Sequence, residues 1–363
     1  MCRATSFIAK SERIVSTKGK VLLAMSGGVD SSTAAILLQQ QGYEVDGVTL
    51  KLWGGDTDSG CCSLADVEDA RRVAAQLDIA HYVFNLGEEF TKYVVEPYVK
   101  AHTEMLTPNP CIECNRHIKF AGLHDRAMAM GYDFVATGHH ARVVHRDGVY
   151  RLMRGVDEKK DQSYVLSMVT QDVLAHTLLP VGDLTKAQVR EIAAEHNLRT
   201  ATKAESMDVC FIEKKGRETF LRDRITLHAG EIVDVNGERV GSHAGAELLT
   251  IGQRRGAGNA VGDRAGDKQY VVSRNPETFT VTVGTRDDLE VTSARLRQIA
   301  TTRPIEYPCA VTVQPRAHGE AFEAQWESPE LLNFSQPRMR IAPGQTAACY
   351  IGDECVGSGI VLS

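Results

Sequence analysis

VLLAMSGGVDSS, residues 21–32, combines a short apolar run, two adjacent glycines and a polar segment that can begin a helix. The apolar run predicts a buried β-strand, and residues 31–41 predict a helix that ends before Gly42. Adjacent glycines let the backbone turn sharply with its N–H groups pointing inward, and the helix N-terminus adds positive potential. The stretch therefore predicts a strand–loop–helix site for a phosphate or pyrophosphate. It lacks the GK[ST] sequence of a P-loop kinase.

Strands and helices continue to alternate after this stretch. Further strands are predicted at residues 45–53, 82–86 and 133–138. Ser63 and Thr185 each precede a helical pattern, with Asp66 and Gln188 placed three residues later as capping-box partners. Strands separated by helices form a parallel sheet that is covered on both faces. The first half of the chain is therefore predicted to be an α/β doubly wound parallel sheet.

The texture of the sequence changes after about residue 211. Short Val- and Thr-rich runs alternate with turns, and Asn236-Gly237 and Gly352-Asp353 lie where hairpin turns belong. This region of about 150 residues is long enough for a small central β domain and a C-terminal β-barrel. The predicted divisions are a leader, a catalytic domain, a central β domain and a barrel, at residues 1–20, 21–213, 214–288 and 289–363.

Composition excludes several classes of protein. Of the 363 residues, 43% are hydrophobic and 24% charged, as in ordinary globular proteins, and no apolar run approaches the roughly 18 residues of a membrane helix. Nine cysteines are too sparse for a disulfide scaffold and favour a reducing compartment, which we expect to be the cytoplasm. The basic leader is interpreted either as a frayed terminus or as a transit peptide.

The sequence TPNPCIECNRH, residues 107–117, contains a C-x-x-C pair behind a rigid turn. Asn109 is predicted to cap a helix that has Pro110 at its first position. Cys111 and Cys114 would then lie in the first turn or two, where the helix dipole favours a thiolate. A zinc site, a redox pair and a nucleophile with an accessory thiol are the alternatives, and no second C-x-x-C exists to complete a zinc site.

SGGVDSS resembles the PP-loop of the ATP pyrophosphatases, which have a HUP-like doubly wound sheet and release AMP and pyrophosphate. Other segments, taken in order, resemble the tRNA-specific 2-thiouridylase family (bacterial MnmA, mitochondrial TrmU) from about residue 20 to the C-terminus. They are GHHAR (138–142), KDQSYVL (160–166), ESMDVCFI (205–212), TIGQRRGAG (250–258) and the segment at 343–350.

The resemblance implies an ATP-dependent tRNA sulfurtransferase that also requires Mg²⁺. Such an enzyme adenylates the C2 oxygen of wobble uridine 34 in the tRNAs for Lys, Glu and Gln and then replaces that oxygen with sulfur. Cys210 would carry the persulfide, and Cys114 would release the sulfur through a disulfide with Cys210 or assist its attack. A cysteine desulfurase or a sulfur carrier would be the partner of a monomeric enzyme.

The resemblance also assigns binding residues. ATP would be held by Ala24, Met25, Ser26, Gly27, Gly28, Val29, Asp30, Ser31, Ser32, Leu50 and Gly138. The tRNA would be contacted by Asn109, Pro110, Cys111, His139, Lys160, Asp161, Gln162, Arg316 and Gln345. The flipped-out base would approach the turn that precedes the C-x-x-C pair.

Two positions depart from the family pattern. Many members have Asp where this chain has Cys111, and Arg316 lies in PRAHG where the family often has an R-x-R pair. Cys111, Cys114 and Cys210 together make a set of three thiols that could ligate a [4Fe–4S] cluster. The cluster and persulfide interpretations both stay open here.

Two other functions remain as alternatives. One is another PP-loop adenylating enzyme with a small-molecule acceptor, and the other is a non-catalytic sensor that binds tRNA or nucleotide. The β-rich half with its basic loops argues against a small acceptor.

Overall fold

A parallel sheet with helices on both faces forms the first part of the chain. The computed structural model describes residues 18–53, 63–204, 209–212, 216–254, 263–264, 267–317 and 319–362. Elements of this part are β1 (Lys20–Ala24), α1 (Val29–Gln40), β2 (Glu44–Lys51), α2 (Leu64–Gln76), β3 (His81–Asn85), α3 (Gly87–Phe90), α4 (Glu96–Thr103), α5 (Pro110–Glu113), α6 (Leu123–Ala129), β4 (Phe134–Ala136), β5 (Ala141–Arg146), β6 (Val149–Arg154), α7 (Gln171–Leu174), β7 (Thr177–Leu178) and α8 (Lys186–Glu195).

π-Helical segments at Thr91–Val95 and Cys114–Gly122 join α3 to α4 and α5 to α6, which makes two longer helices. Short 3₁₀ turns lie at Ser163–Leu166 and Arg199–Thr202. Within the described residues, no helix is long and apolar enough to cross a membrane. The predicted leader up to residue 17, residues 205–208 of ESMDVCFI and residues 255–258 of TIGQRRGAG lie outside the described residues.

The strand order in the parallel sheet is β3-β2-β1-β4-β7. Leu23 of β1 packs in a cluster with α1, α2 and α8, whereas Leu22 packs in a second cluster with the helices that contain α4 and α6. Alternate residues of one strand therefore feed cores on opposite faces. The prediction of a doubly wound sheet is confirmed, and its topological switch point lies between β1 and β4, where such folds bind ligands.

Helices α2 and α8 begin where the sequence predicted. Ser63 accepts a hydrogen bond from the Asp66 N–H at 3.2 Å, and Thr185 accepts one from the Gln188 N–H at 3.4 Å. Both capping boxes are complete, because each partner side chain also accepts from the N-cap backbone.

A small mixed sheet follows the first part of the chain. The sheet order is β12-β13-β8-β9, and Asn236-Gly237 forms the predicted turn between β8 and β9, with Gly237 at φ +85°. The elements are α9 (Gly216–Arg222), β8 (Gly230–Asp234), β9 (Arg239–His243), β10 (Asp263–Arg264), β11 (Asp267–Lys268), β12 (Tyr270–Arg274) and β13 (Val281–Gly284). We call this the central domain.

The C-terminal part is a closed antiparallel barrel, as predicted. Its strands are β14 (Glu290–Thr301), β15 (Cys309–Gln314), β16 (Phe322–Ser328), β17 (Leu331–Met339), β18 (Thr346–Ile351) and β19 (Glu354–Val361). The order is β14-β17-β16-β15-β18-β19, and pairing of β14 with β19 closes the barrel. Trp326 is fully buried in its core.

One connection between the first part and the barrel was not predicted. The hairpin β5–β6 pairs with β19, with Leu152 opposite Cys355 and Met153 opposite Glu354. A hairpin that follows the parallel sheet therefore extends the sheet of the barrel. This pairing fixes the barrel close to the carboxyl ends of β1 and β4.

Candidate active site

The loop between β1 and α1 has the shape that its glycines predicted. Gly27 has φ +69°, and a Cβ there would lie 2.3 Å from the backbone oxygen of Asp66. Gly28 is the N-cap of α1, and the hydroxyls of Ser31 and Ser32 donate to its carbonyl at 3.2 Å and 2.8 Å. The loop is therefore pressed against α2 and leaves the first turn of α1 facing the crevice, where backbone N–H groups suit a phosphate.

Asp30, in the first turn of α1, is held by two basic groups. Lys186 Nζ donates to both of its carboxylate oxygens at 2.7 Å and 2.8 Å, and His140 Nε2 lies 3.1 Å from Oδ1. Burial alone would raise the pKa of Asp30, but the hydrogen bonds from His140 and Lys186 outweigh it and leave that pKa below its usual value. Asp30 is therefore a carboxylate at neutral pH.

Lys203 fastens the same loop from the other side. Its Nζ donates to the Gly27 carbonyl at 3.0 Å and to the carboxylates of Asp66 and Asp69 at 2.8 Å and 2.7 Å. Burial works against the charge, but the hydrogen bonds to these carboxylates raise the pKa of Lys203. The loop backbone, the start of α2 and a lysine far along the chain thus form one unit.

Sequence reasoning missed both lysines. Lys186 carried a usable signal, because it is the first residue of α8, where the helix dipole disfavours a cation. A lysine in that position points to an outside anion. Lys203 lies in an irregular segment, and its local sequence gives no comparable indication.

The turn after β4 closes the crevice opposite the loop. A Cβ on Gly138 would lie 2.6 Å from the Ser31 backbone nitrogen, so this turn packs directly on the first turn of α1. His139 Nδ1 is 2.7 Å from the Thr137 hydroxyl, and burial lowers the pKa of His139 well below its usual value. Leu50 is buried in β2, next to β1. The predicted nucleotide residues therefore meet at the carboxyl ends of neighbouring strands.

The cysteine-bearing helix begins as predicted. Asn109 is the N-cap, and its side-chain oxygen accepts a hydrogen bond from the Cys111 N–H at 3.1 Å. Pro110 is the first helical residue. Cys111 is half-buried and Cys114 is buried, so the predicted placement of both thiols in the first turns is confirmed.

The segment around Cys210 is anchored near Cys114. Phe211 is buried, with its ring centroid 5.7 Å from that of Phe90 and 5.4 Å from that of Tyr98. Cys114 belongs to the same apolar cluster as Phe211, whereas Cys210 itself is exposed. The structure therefore brings the two predicted thiol segments together, one buried and one open to solvent.

Sequence profiles of domain families cover nearly the whole chain. They are described as tRNA methyl transferase HUP domain at residues 19–214, tRNA methyl transferase PRC-barrel domain at 218–285 and aminomethyltransferase beta-barrel domain at 286–361. The tRNA-specific 2-thiouridylase MnmA of Moorella thermoacetica is 44% identical over 94% of this chain and 99% of its own length. That of Chloroflexus aggregans is 45% identical over 93% and 97%. This chain belongs to the tRNA-specific 2-thiouridylase family.

The likeness of this thiouridylase-family chain to solved structures is far weaker. The U34-tRNA thiolase NcsA from Methanococcus maripaludis, with its [4Fe-4S] cluster, has a TM-score of 0.34 and 16% identity over 51% of this chain and 59% of its own. A likeness at this level carries no argument about the site.

A metal cluster does not fit the thiols of this family member as they are arranged. Within the ranges that the structure describes, no three His, Cys, Asp or Glu side chains are grouped so that they could hold a metal ion. Cys111, Cys114 and Cys210 all lie in those ranges. Neither a zinc ion nor a [4Fe–4S] cluster therefore finds a ready set of ligands here.

The residues that the thiouridylase resemblance assigned to tRNA have varied surroundings. Arg316 is exposed at a loop of the barrel, while Asp161 is buried. The Asp161 carboxylate accepts from the Gly155 and Ser163 N–H groups at 3.0 Å each, and from Arg154 at 2.9 Å.

Gln162 and Gln345 also make contacts within the fold. Gln162 Oε1 accepts from the His140 N–H at 2.9 Å, and Gln345 Nε2 donates to the Thr107 carbonyl at 2.8 Å. Contact of these residues with tRNA stays a prediction. Their observed partners connect the segment at 160–166 and the barrel to the crevice.

Proposed function

We propose that this chain is a tRNA-uridine 2-sulfurtransferase. It uses ATP to adenylate the C2 oxygen of wobble uridine 34 and then exchanges that oxygen for sulfur. The observation that carries the proposal is the pairing, in one domain, of a phosphate loop with two thiol segments that share an apolar cluster. The curated thiouridylases that match nearly the full chain support the choice of substrate.

The first half-reaction belongs to the crevice between β1 and β4. The pyrophosphate of ATP lies on the N–H groups of the loop and of the first turn of α1, with Lys186 and Lys203 close by as cations. The uridine oxygen attacks the α-phosphorus, the bond to the β-phosphate oxygen breaks, and pyrophosphate leaves. Asp30 is engaged by Lys186, so Mg²⁺ enters on the nucleotide phosphates.

The second half-reaction belongs to the thiols. The outer sulfur of a Cys210 persulfide attacks C2 of the base, and AMP leaves. Cys114 then attacks the Cys210 sulfur, which breaks the sulfur–sulfur bond and leaves 2-thiouridine and a Cys114–Cys210 disulfide. A thiol reductant reopens this disulfide. The exposure of Cys210 suits loading by a cysteine desulfurase or a sulfur carrier, and the burial of Cys114 protects it from oxidation.

The tRNA lies across the crevice and the barrel. Wobble uridine leaves the anticodon loop and enters beside Asn109, Pro110 and Cys111, while Arg316 offers an exposed cation for the phosphate backbone. The substrates are the tRNAs for Lys, Glu and Gln, and the protein acts as a monomer in the cytoplasm.

Incubation with ATP, Mg²⁺, unmodified tRNA and a sulfide source tests the proposal. Mass analysis of the wobble nucleoside should show sulfur in place of oxygen, with one AMP and one pyrophosphate formed for each exchange. Cys114→Ser and Cys210→Ser should each abolish thiolation and retain ATP binding. Cys309→Ser, a half-buried thiol in β15, is the matched control.

Several results would contradict the proposal. Full activity in either of the two variants rules out the thiol mechanism. Pyrophosphate release that ignores tRNA indicates a small-molecule acceptor. A protein that binds tRNA and ATP but releases no pyrophosphate is a sensor.

A further inference from the structure

The turn that precedes the cysteine helix is held from the barrel. The Thr107 N–H donates to the Pro343 carbonyl at 2.7 Å, and Gln345 Nε2 donates to the Thr107 carbonyl at 2.8 Å. Between these partners, Gly344 has φ +91°, and a Cβ there would lie 2.7 Å from the Thr107 nitrogen. Both hydrogen-bonding groups of one residue in the catalytic turn are therefore satisfied by a loop of another domain.

Tyr164 adds a side-chain link at the same junction. Its ring is fully buried in a cluster that contains Ile112 from the cysteine helix and Ala348 from β18. Its hydroxyl donates to the Thr346 carbonyl at 3.1 Å and lies 3.4 Å from the Pro315 carbonyl. Pro315 precedes Arg316, the exposed cation of the barrel loop.

The same hydroxyl reaches the catalytic turn. Burial raises the pKa of Tyr164, a hydrogen bond from the Asn109 side chain lowers it, and Cys111 adds to the rise. The hydroxyl is therefore neutral in the working pH range, where it can donate to one group and accept from another. Asn109 in turn holds the Cys111 backbone. One oxygen thus lies between the barrel loops and the cap of the cysteine helix.

We propose that Tyr164 is a positioning residue for the sulfur-transfer step, because its hydroxyl ties Asn109 to the barrel and so places Cys111 and Cys114 against the activated base. This inference rests on the proposed function. The contacts reported for Tyr164 lie on the sulfur side of the site, whereas the phosphate loop is held by Lys186 and Lys203. Loss of the hydroxyl should therefore impair thiolation and spare adenylation.

Tyr164→Phe tests the inference, since it keeps the ring and removes one oxygen. We expect tRNA-dependent pyrophosphate release within about twofold of wild type, and 2-thiouridine formation lower by about 10- to 100-fold, because small misplacements of reacting groups have effects of that size. The KM for tRNA should not change. Tyr132→Phe is the matched control, because that buried hydroxyl bonds Asp46 at 2.7 Å, away from the turn.

Asn109→Ser approaches the same link from its other end. Serine still caps a helix but is too short to reach the tyrosine, so it should reproduce the separation of the two half-reactions. The double variant should be no worse than the more impaired single variant, because the two changes break one link. If Tyr164→Phe melts at a much lower temperature, Asn109→Ser decides the question.

Wild-type thiolation in both Tyr164→Phe and Asn109→Ser overturns the inference. An equal loss of pyrophosphate release and thiolation also overturns it, because that pattern indicates a general structural role. Failure of the wild-type protein to form 2-thiouridine is a different result, which rejects the proposed function itself.

Discussion

The two ends of the site are built in different ways. At the nucleotide end, the contiguous stretch Ser26–Ser32 makes its own turn and helix start, and lysines fasten it in place. At the sulfur end, the turn at 107–111 depends on the barrel loop at 343–346, and Cys210 arrives on a separate segment. A local motif thus holds the phosphates, whereas docking of domains holds the thiols. Substitutions at the two ends should therefore affect different half-reactions.

Gly27→Ala should have the largest effect and should act on the nucleotide end. The new Cβ would lie 2.3 Å from the Asp66 carbonyl oxygen, so the loop must move away from α2. We expect tRNA-dependent pyrophosphate release to fall by about 100-fold or more, since displacement of a binding loop by about 1 Å is enough for that loss.

The control for Gly27→Ala is Gly42→Ala. Gly42 has φ +89°, close to that of Gly27, but its Cβ would meet no atom within 4 Å. Both variants carry the cost of a left-handed alanine, and only the first carries the clash. Equal rates in the two variants would show that the close approach to α2 does not matter.

Lys186→Met should have the next largest effect. It removes the cation from Asp30 and leaves a carboxylate close to the phosphates. Hydrogen bonds between charged groups contribute about 1.5–3 kcal/mol, which corresponds to an ATP affinity lower by roughly 10- to 150-fold. Calorimetric titration with ATP measures this, with Lys100→Met, a surface ion-pair partner of Glu104, as the control.

Thiolation and pyrophosphate release should fall together in Lys186→Met, because the sulfur end is untouched. Separation of the two rates would falsify the division of the site into two ends.

The fold and the nucleotide end were largely predictable from sequence, because both depend on neighbouring residues. The capping boxes of α2 and α8, the cap at Asn109 and the turn at Asn236-Gly237 each involve groups within three or four positions. Contacts between distant segments carry no such local pattern. Lys203 reaches Gly27 across 176 positions, and Tyr164 reaches Thr346 across 182.

Asp161 shows the same limit. The KDQ segment resembles a tRNA-contacting stretch, but only the structure shows the Asp161 carboxylate turned inward to Arg154, Gly155 and Ser163. A sequence motif identifies which residues matter, and the fold decides which atoms face the ligand.

A smaller effect should appear as a pH dependence on the sulfur side. His102, in the helix that leads to the catalytic turn, is buried, and burial together with Arg217 lowers its pKa to about 4. Below about pH 6.5 the unfolded chain takes up a proton that the folded chain refuses, so stability falls as pH decreases toward 4.

For this group the loss is about 2 kcal/mol at pH 5, and His102→Gln should remove it. Urea unfolding at pH 7.5 and pH 5 measures the difference. Asp30 responds in the opposite manner, because its lowered pKa keeps its ion pair intact at pH 5. An unchanged pH dependence in His102→Gln would show that this histidine is not the sensitive group.

Cys111→Asp should have the smallest effect and bears on the sulfur end most directly. The Asn109 cap holds the backbone N–H of residue 111, so the contact does not depend on the side chain. An aspartate in the first turn also suits the helix dipole, and many thiouridylases are expected to have one there. We therefore expect 2-thiouridine formation within about threefold of wild type, less than the loss that follows removal of a general acid or base.

The same variant separates the persulfide from a cluster mechanism. Replacing a thiolate by a carboxylate removes one of three sulfur ligands, so a cluster enzyme should lose both iron and activity. A persulfide enzyme needs only Cys114 and Cys210 to carry and release sulfur. Purification without oxygen, iron and sulfide analysis, and a thiolation assay on Cys111→Asp therefore give opposite results for the two mechanisms. Retained activity in an iron-free variant assigns the chemistry to the two thiols, and Cys111 then serves the turn rather than a metal.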